Sequence, residues 1–114
     1  MRLAFALALG LLSSSALAAD PAPDKWDAKA REIYAQAISI PTVQGRGKVP
    51  ELARYLADQY QAGGWAEGDI HVVPYEGAPG DKTAALIVRW PAAKASKKPI
   101  LLMAHMDVVE AKRD

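Results

Sequence analysis

An uninterrupted apolar run near the end of the sequence constrains the fold more than any other feature. Residues 100–104 read Ile-Leu-Leu-Met-Ala, without the alternation of apolar and polar side chains that marks a half-exposed strand. A strand that is apolar on both faces belongs in the middle of a sheet that is covered on both sides. The run therefore predicts an α/β fold with helices on both faces of the sheet.

Two helices are predicted ahead of this run. Asp24 and Asp27 favour a helix start, and apolar residues at helical spacing follow, which predicts a helix from Lys25 to Ser39. A second helix is expected to begin near Pro50, which a first turn tolerates because its missing N–H has no partner there. The pair Gly63-Gly64 is expected to end it with a left-handed cap.

A hairpin is predicted between the second helix and the apolar run. Residues 70–75 and 83–90 are rich in β-branched and apolar residues and flank a turn that contains Gly and Pro, which indicates an antiparallel pair. Aromatic side chains on helical stripes are usually core residues. We therefore expect Trp26, Tyr34 and Tyr60 to lie in the core.

These elements are too few to cover a central strand. Two helices and a hairpin shield one side of it, and the sequence ends at Asp114 with nothing left to pair with its other edge. The expectation is an N-terminal part of a longer α/β domain, whose reading frame continues past Asp114. A complete small domain is the alternative.

The first 18 residues are typical of a secretory signal peptide. Arg2 supplies a positive start, residues 3–12 are apolar, and a small-residue stretch ends at Ala18. The alternative is an uncleaved anchor, but the run is much shorter than the roughly 20 residues of a spanning helix, so no stable membrane insertion is expected after cleavage. The predicted divisions are therefore residues 1–18, a signal peptide, and residues 19–114, an exported piece that is periplasmic or secreted.

Charge and cysteine content exclude two further classes. Fourteen Lys and Arg against thirteen Asp and Glu give a net charge of +1, and no basic cluster is dense enough to neutralise a run of phosphates. Nucleic acid is therefore not expected as a partner. Since the chain has no Cys, its stability outside the cytosol must come from packing or a metal.

His105 and Asp107 are the residues that could carry chemistry. They stand two apart after the apolar run, where open α/β sheets place their ligands, and a strand period of two puts them on one face. The pair could form a metal site in which the carboxylate orients the imidazole. It could also be part of a Ser–His–Asp relay, although Ser39 and Ser96 have no sequence context that supports a nucleophile, or a strand end without chemistry.

The string Leu-Leu-Met-Ala-His-Met-Asp-Val-Val at residues 101–109 resembles the first metal motif, H-x-D-x-V, of a dinuclear zinc peptidase and amidohydrolase family. This family includes glutamate carboxypeptidase, aminoacylase and succinyl-diaminopimelate desuccinylase. The Ile-Pro-Thr-Val segment at residues 40–43, a helix, Gly63-Gly64 and a hairpin precede the motif in the family's order. The resemblance implies the N-terminal part of a mixed-sheet, zinc-exopeptidase-like catalytic domain.

The resemblance also implies roles for two residues. His105 matches the first zinc-ligating histidine, and Asp107 matches the catalytic-site aspartate that orients this ligand. The implied activity is hydrolysis of peptide or N-acyl-amino-acid amide bonds by water activated between two zinc ions. The other ligands, the general base and a second domain that can form a homodimer would follow later in the chain, so these 114 residues alone are expected to be inactive. The alternative is a secreted, non-catalytic α/β binding module.

Overall fold

The structure, a computed structural model, describes residues 24–111 apart from the side chain of Lys25. The predicted signal peptide lies outside the described residues. Within them, the helices and strands are α1 (Lys25–Ser39), α2 (Val49–Ala62), β1 (Ile70–Glu76) and β2 (Lys82–Val88), with a short 3-10 turn at Glu67–Asp69. This part of the chain is therefore an α/β unit. None of its helices combines the length and the apolar composition needed to cross a membrane.

Helix α1 has the predicted bounds because local signals set both of its ends. The Asp24 carboxylate accepts the N–H of Trp26 at 3.3 Å, and the N–H of Asp24 donates to the Asp27 carboxylate at 2.9 Å. This reciprocal capping satisfies amides that the first turn leaves unpaired. At the other end Ile40, which precedes a proline, is extended, with φ −87° and ψ 114°.

Helix α2 also begins and ends where the sequence predicts. Pro50 lies in its first turn, and the helix stops before Gly63. Gly63 keeps a helical φ of −76°, whereas Gly64 has φ 91°. The left-handed residue of the predicted cap is therefore Gly64, where glycine avoids the steric cost of a Cβ.

The hairpin packs against α2 on one face and leaves the other face open. β1 and β2 are antiparallel, as predicted, with His71 opposite Ile87. β2 contacts α2, and Ala84 of the strand and Ala53 of the helix are both buried. Because successive strand residues alternate between faces, His71 and Ile87 lie on the face opposite Ala84, and both are exposed. α1 in turn contacts α2.

The prediction that three aromatic residues lie in the core is wrong. Trp26 and Tyr34 on α1 are 62% and 67% exposed, and Tyr60 on α2 is 39% exposed. Tyr60 packs edge-on against Trp65 with the ring centroids 5.4 Å apart, and Trp65 packs in the same way against Trp90. Helical spacing places side chains on one stripe but does not supply an element to cover that stripe.

The predicted buried strand at residues 100–104 is also not formed. No strand is assigned to this run, and Leu102 is 90% exposed. Within residues 24–111, the only sheet is the hairpin, and the run does not extend it. A strand needs a hydrogen-bonded neighbour. The nearest backbone pairing to this run lies after it in the sequence, in a parallel bridge between Val43 and Val108.

Candidate metal centre

The H-x-D motif at residues 105–107 is anchored to the segment that follows α1. The N–H of Val108 donates to the carbonyl of Thr42 at 3.3 Å, which forms the parallel bridge between Val43 and Val108. The Thr42 hydroxyl donates to the carbonyl of Met106 at 2.7 Å. The motif is therefore held by residues that lie far away in the sequence, although no strand leads into it.

The His105 ring contacts the backbone of Asp107. Its Nδ1 lies 2.8 Å from the Asp107 carbonyl oxygen. A carbonyl oxygen can only accept a hydrogen bond, so Nδ1 must carry the proton in this contact. The lone pair of the neutral ring is then on Nε2, and the ring is 83% exposed. Such an imidazole, with one nitrogen donating to a carbonyl and the other open, has the arrangement of a metal-ligating histidine.

The Asp107 carboxylate lies close to the ring without a short hydrogen bond to it. Its Oδ1 is 3.5 Å from His105 Nδ1, so the backbone carbonyl of Asp107 makes the closer contact. The structure thus brings the two predicted site residues together, and the carbonyl orients the ring. The predicted role of the carboxylate stays a prediction.

A cleft of about 290 Å³ opens beside Asp107. It is lined by the loop after α1, which includes Val43 and Gln44, and by the hairpin turn, which includes Ala78 and Asp81. The Asp81 carboxylate accepts the N–H of Gly45 at 3.3 Å, which joins the two walls. A small molecule in this cleft would therefore lie next to Asp107.

Sequence reasoning missed the residues that anchor the motif. Arg46 makes two hydrogen bonds of 2.9 and 2.7 Å to the Glu110 carboxylate, and Thr42 reaches Met106. Both contacts span 64 residues, so no local spacing signals them. The Arg46–Glu110 pair is about half exposed, and pairs of this kind contribute at most about 1 kcal/mol.

The serine-relay hypothesis gains no support from the described residues. The Ser39 hydroxyl donates to the carbonyl of Gln36 at 2.7 Å, within the last turn of α1. Ser96 is exposed in the loop that precedes residues 100–104. The contact that Ser39 makes and the position of Ser96 do not join either hydroxyl to His105, as a relay would require.

The side chains of His105 and Asp107 are of the types that bind zinc. An imidazole Nε2 and a carboxylate are both ordinary zinc donors, but a zinc site needs three or four protein ligands. Within residues 24–111, no group of three or more His, Asp or Glu side chains is placed to hold a metal ion. His71 lies on the open face of the hairpin and is exposed.

No protein-family model matches the chain, and comparison with curated proteins and with solved structures also gave no match. The resemblance to the dinuclear zinc family therefore rests on the motif and on the order of elements in this chain.

Proposed function

We propose that this chain carries the first metal motif of an exported, zinc-dependent exopeptidase or N-acyl-amino-acid amidohydrolase. His105 ligates zinc through Nε2, and Asp107 provides negative charge beside that ligand. Residues 19–114 form the N-terminal part of a mixed-sheet catalytic domain with helices on both faces. The remaining ligands, the general base and the second domain follow Asp114 in the full-length gene product.

The contact between His105 Nδ1 and the Asp107 carbonyl carries this proposal. Water can bond to either ring nitrogen of an exposed histidine, so free imidazoles are not held in one tautomer. Here the carbonyl accepts from Nδ1 and directs the basic nitrogen outward. Fixing the tautomer and the ring direction is what partners behind a metal-ligating histidine do.

The chain's own residues account for part of the chemistry of such a site. When bound, a zinc pair polarises the scissile carbonyl and lowers the pKa of a water molecule. His105 supplies a neutral nitrogen donor, and the Asp107 carboxylate places negative charge 3.5 Å from its Nδ1. The cleft beside Asp107 offers a place for part of a peptide or N-acyl-amino-acid substrate.

A second candidate is a secreted, non-catalytic α/β binding module. It is favoured by the open face of the hairpin, where Val73, Tyr75 and Ile87 are exposed although they are apolar or aromatic. Exposed apolar patches on small domains often mark interaction sites. In the zinc-hydrolase proposal, the rest of the catalytic domain covers this face instead.

The two candidates differ in how they respond to metal removal. We expect the purified full-length gene product to contain zinc and to hydrolyse peptides or N-acyl amino acids. Dialysis against a chelator should abolish the hydrolysis, and added Zn²⁺ should restore it. A protein that folds without zinc, and that hydrolyses none of these substrates with zinc added, would contradict the proposal and favour the binding module.

Asp107→Asn is expected to lower both turnover and zinc affinity by about 10- to 100-fold. The substitution removes the negative charge beside His105 but keeps the backbone carbonyl that contacts Nδ1. Folding should therefore be spared. Zinc titration and steady-state kinetics measure the effect, and Asp58→Asn, which removes an exposed carboxylate on α2, is the control. Kinetics equal to those of the control would refute a role for the Asp107 carboxylate.

A further inference from the structure

We propose that Thr42 is the positioning residue of the candidate metal centre and sets the tautomer of His105. It acts through the backbone on both sides of Asp107 and does not touch the imidazole. This inference builds on the proposed function, because it explains how a ligand that is mostly exposed keeps a fixed direction.

Thr42 is the only buried polar residue among those that the structure describes, with 2% of its surface exposed. Its hydroxyl donates to the carbonyl of Met106 at 2.7 Å, and its carbonyl accepts the N–H of Val108 at 3.3 Å. A single residue thus bonds to the peptide group before Asp107 and to the peptide group after it.

The second of these peptide groups connects Thr42 to the imidazole. The N–H of Val108 and the carbonyl of Asp107 belong to one planar trans peptide unit, so they point in opposite directions. Thr42 accepts the N–H on one side of the unit, and His105 Nδ1 donates to the carbonyl on the other. The hydrogen bond to Thr42 fixes this peptide plane. It therefore also fixes the position of the Asp107 carbonyl that accepts from His105.

The hydroxyl controls the other end of Asp107. If it is lost, the half-buried Met106 carbonyl loses the donor that now satisfies it, and the backbone turns toward water to recover a hydrogen bond. That movement rotates the residue whose carbonyl holds His105. The exposed Arg46–Glu110 pair joins the same two segments but bonds to no backbone group of residues 105–108, so it cannot set the peptide plane.

Thr42→Val tests the proposal because it keeps the shape and branching of the side chain and removes the hydroxyl. Ring ¹⁵N shifts of His105 in the metal-free, full-length protein, with the ring neutral, report which nitrogen carries the proton. We expect mainly the Nδ1–H form in the wild type and a shift toward the Nε2–H form in Thr42→Val. Amide exchange at Val108 should become at least tenfold faster in this variant.

Two further variants complete the experiment. Thr42→Ser retains the hydroxyl and should keep both wild-type readouts. Ser39→Ala removes a hydroxyl that also donates to a backbone carbonyl at 2.7 Å, but in α1, and should change neither. Wild-type ring shifts and Val108 exchange in Thr42→Val would overturn the proposal. If Thr42→Val does not fold, loss of the Nδ1–H form in a folded Thr42→Ser protein would overturn it as well.

Zinc affinity separates this inference from the proposed function. Thr42→Val is expected to weaken zinc binding by about 10- to 100-fold, the usual effect of losing a group that orients a ligand. A wild-type protein that binds no zinc would contradict the proposed function, while the ring shifts and amide exchange would still decide the role of Thr42. If Thr42→Val binds zinc as tightly as the wild type, that result contradicts the proposed role of Thr42 but not the proposed function.

Discussion

Replacing His105 by alanine is expected to lower zinc affinity by more than about 100-fold and to remove most of the proposed hydrolase activity of the full-length protein. Loss of a group behind a ligand already costs about 10- to 100-fold, and loss of the ligand itself should cost more. The ring makes no buried contact, since it is 83% exposed. The free energy of unfolding of the metal-free protein should therefore stay within about 0.5 kcal/mol of the wild-type value.

The chain contains a matched control for this substitution. His71 is its only other histidine; it is exposed on the open face of the hairpin. His71→Ala should leave zinc affinity and turnover unchanged. Zinc titration and kinetics of both variants separate a ligand from a surface histidine, and equal behaviour of the two variants would refute the assignment of His105.

The two helices and the hairpin could be predicted because signals close in sequence determine them. The capping pair Asp24 and Asp27 lies within one turn of α1, and Gly64, with its φ of 91°, lies two residues after the end of α2. Hairpin strands lie next to each other along the chain, so their pairing needs no distant partner. The strand bounds differ slightly: β1 ends at Glu76, whereas residues 70–75 were predicted, and β2 begins at Lys82 and ends at Val88, whereas residues 83–90 were predicted.

The burial of these elements could not be predicted in the same way. Spacing identified the stripes that include Trp26, Tyr34 and Tyr60, but burial depends on what packs against a stripe. The same holds for residues 100–104. Their apolar composition indicates a buried strand, yet the partner that would bury it is not among residues 24–111, where the run is exposed.

The site was predicted in part for the same reason. His105 and Asp107 are separated by two positions, and the sequence shows their pairing directly. Thr42 contacts the motif across 64 residues, and its own neighbours in sequence give no sign of that contact. The sequence also does not reveal that the carbonyl of Asp107, rather than its carboxylate, makes the 2.8 Å contact with the ring. That choice depends on the orientation of a single peptide plane.

Leu102→Ala is expected to lower the free energy of unfolding of the full-length protein by about 2–5 kcal/mol, the usual cost of truncating a buried leucine. Leu102 is 90% exposed in the described part of the chain. The proposed function places residues 100–104 at the centre of a sheet that the rest of the domain completes. A run that is apolar on both faces gains its stability only when neighbours cover both faces.

Leu52→Ala provides the scale for this measurement. Leu52 is 6% exposed on α2, so its truncation should cost about 2–5 kcal/mol wherever this helix is folded. Urea unfolding of the wild type and the two variants gives both differences. Equal losses would place Leu102 in a core that extends beyond residues 24–111. A loss below about 0.5 kcal/mol for Leu102→Ala, beside a large loss for Leu52→Ala, would contradict the longer catalytic domain, because surface truncations have effects of that size.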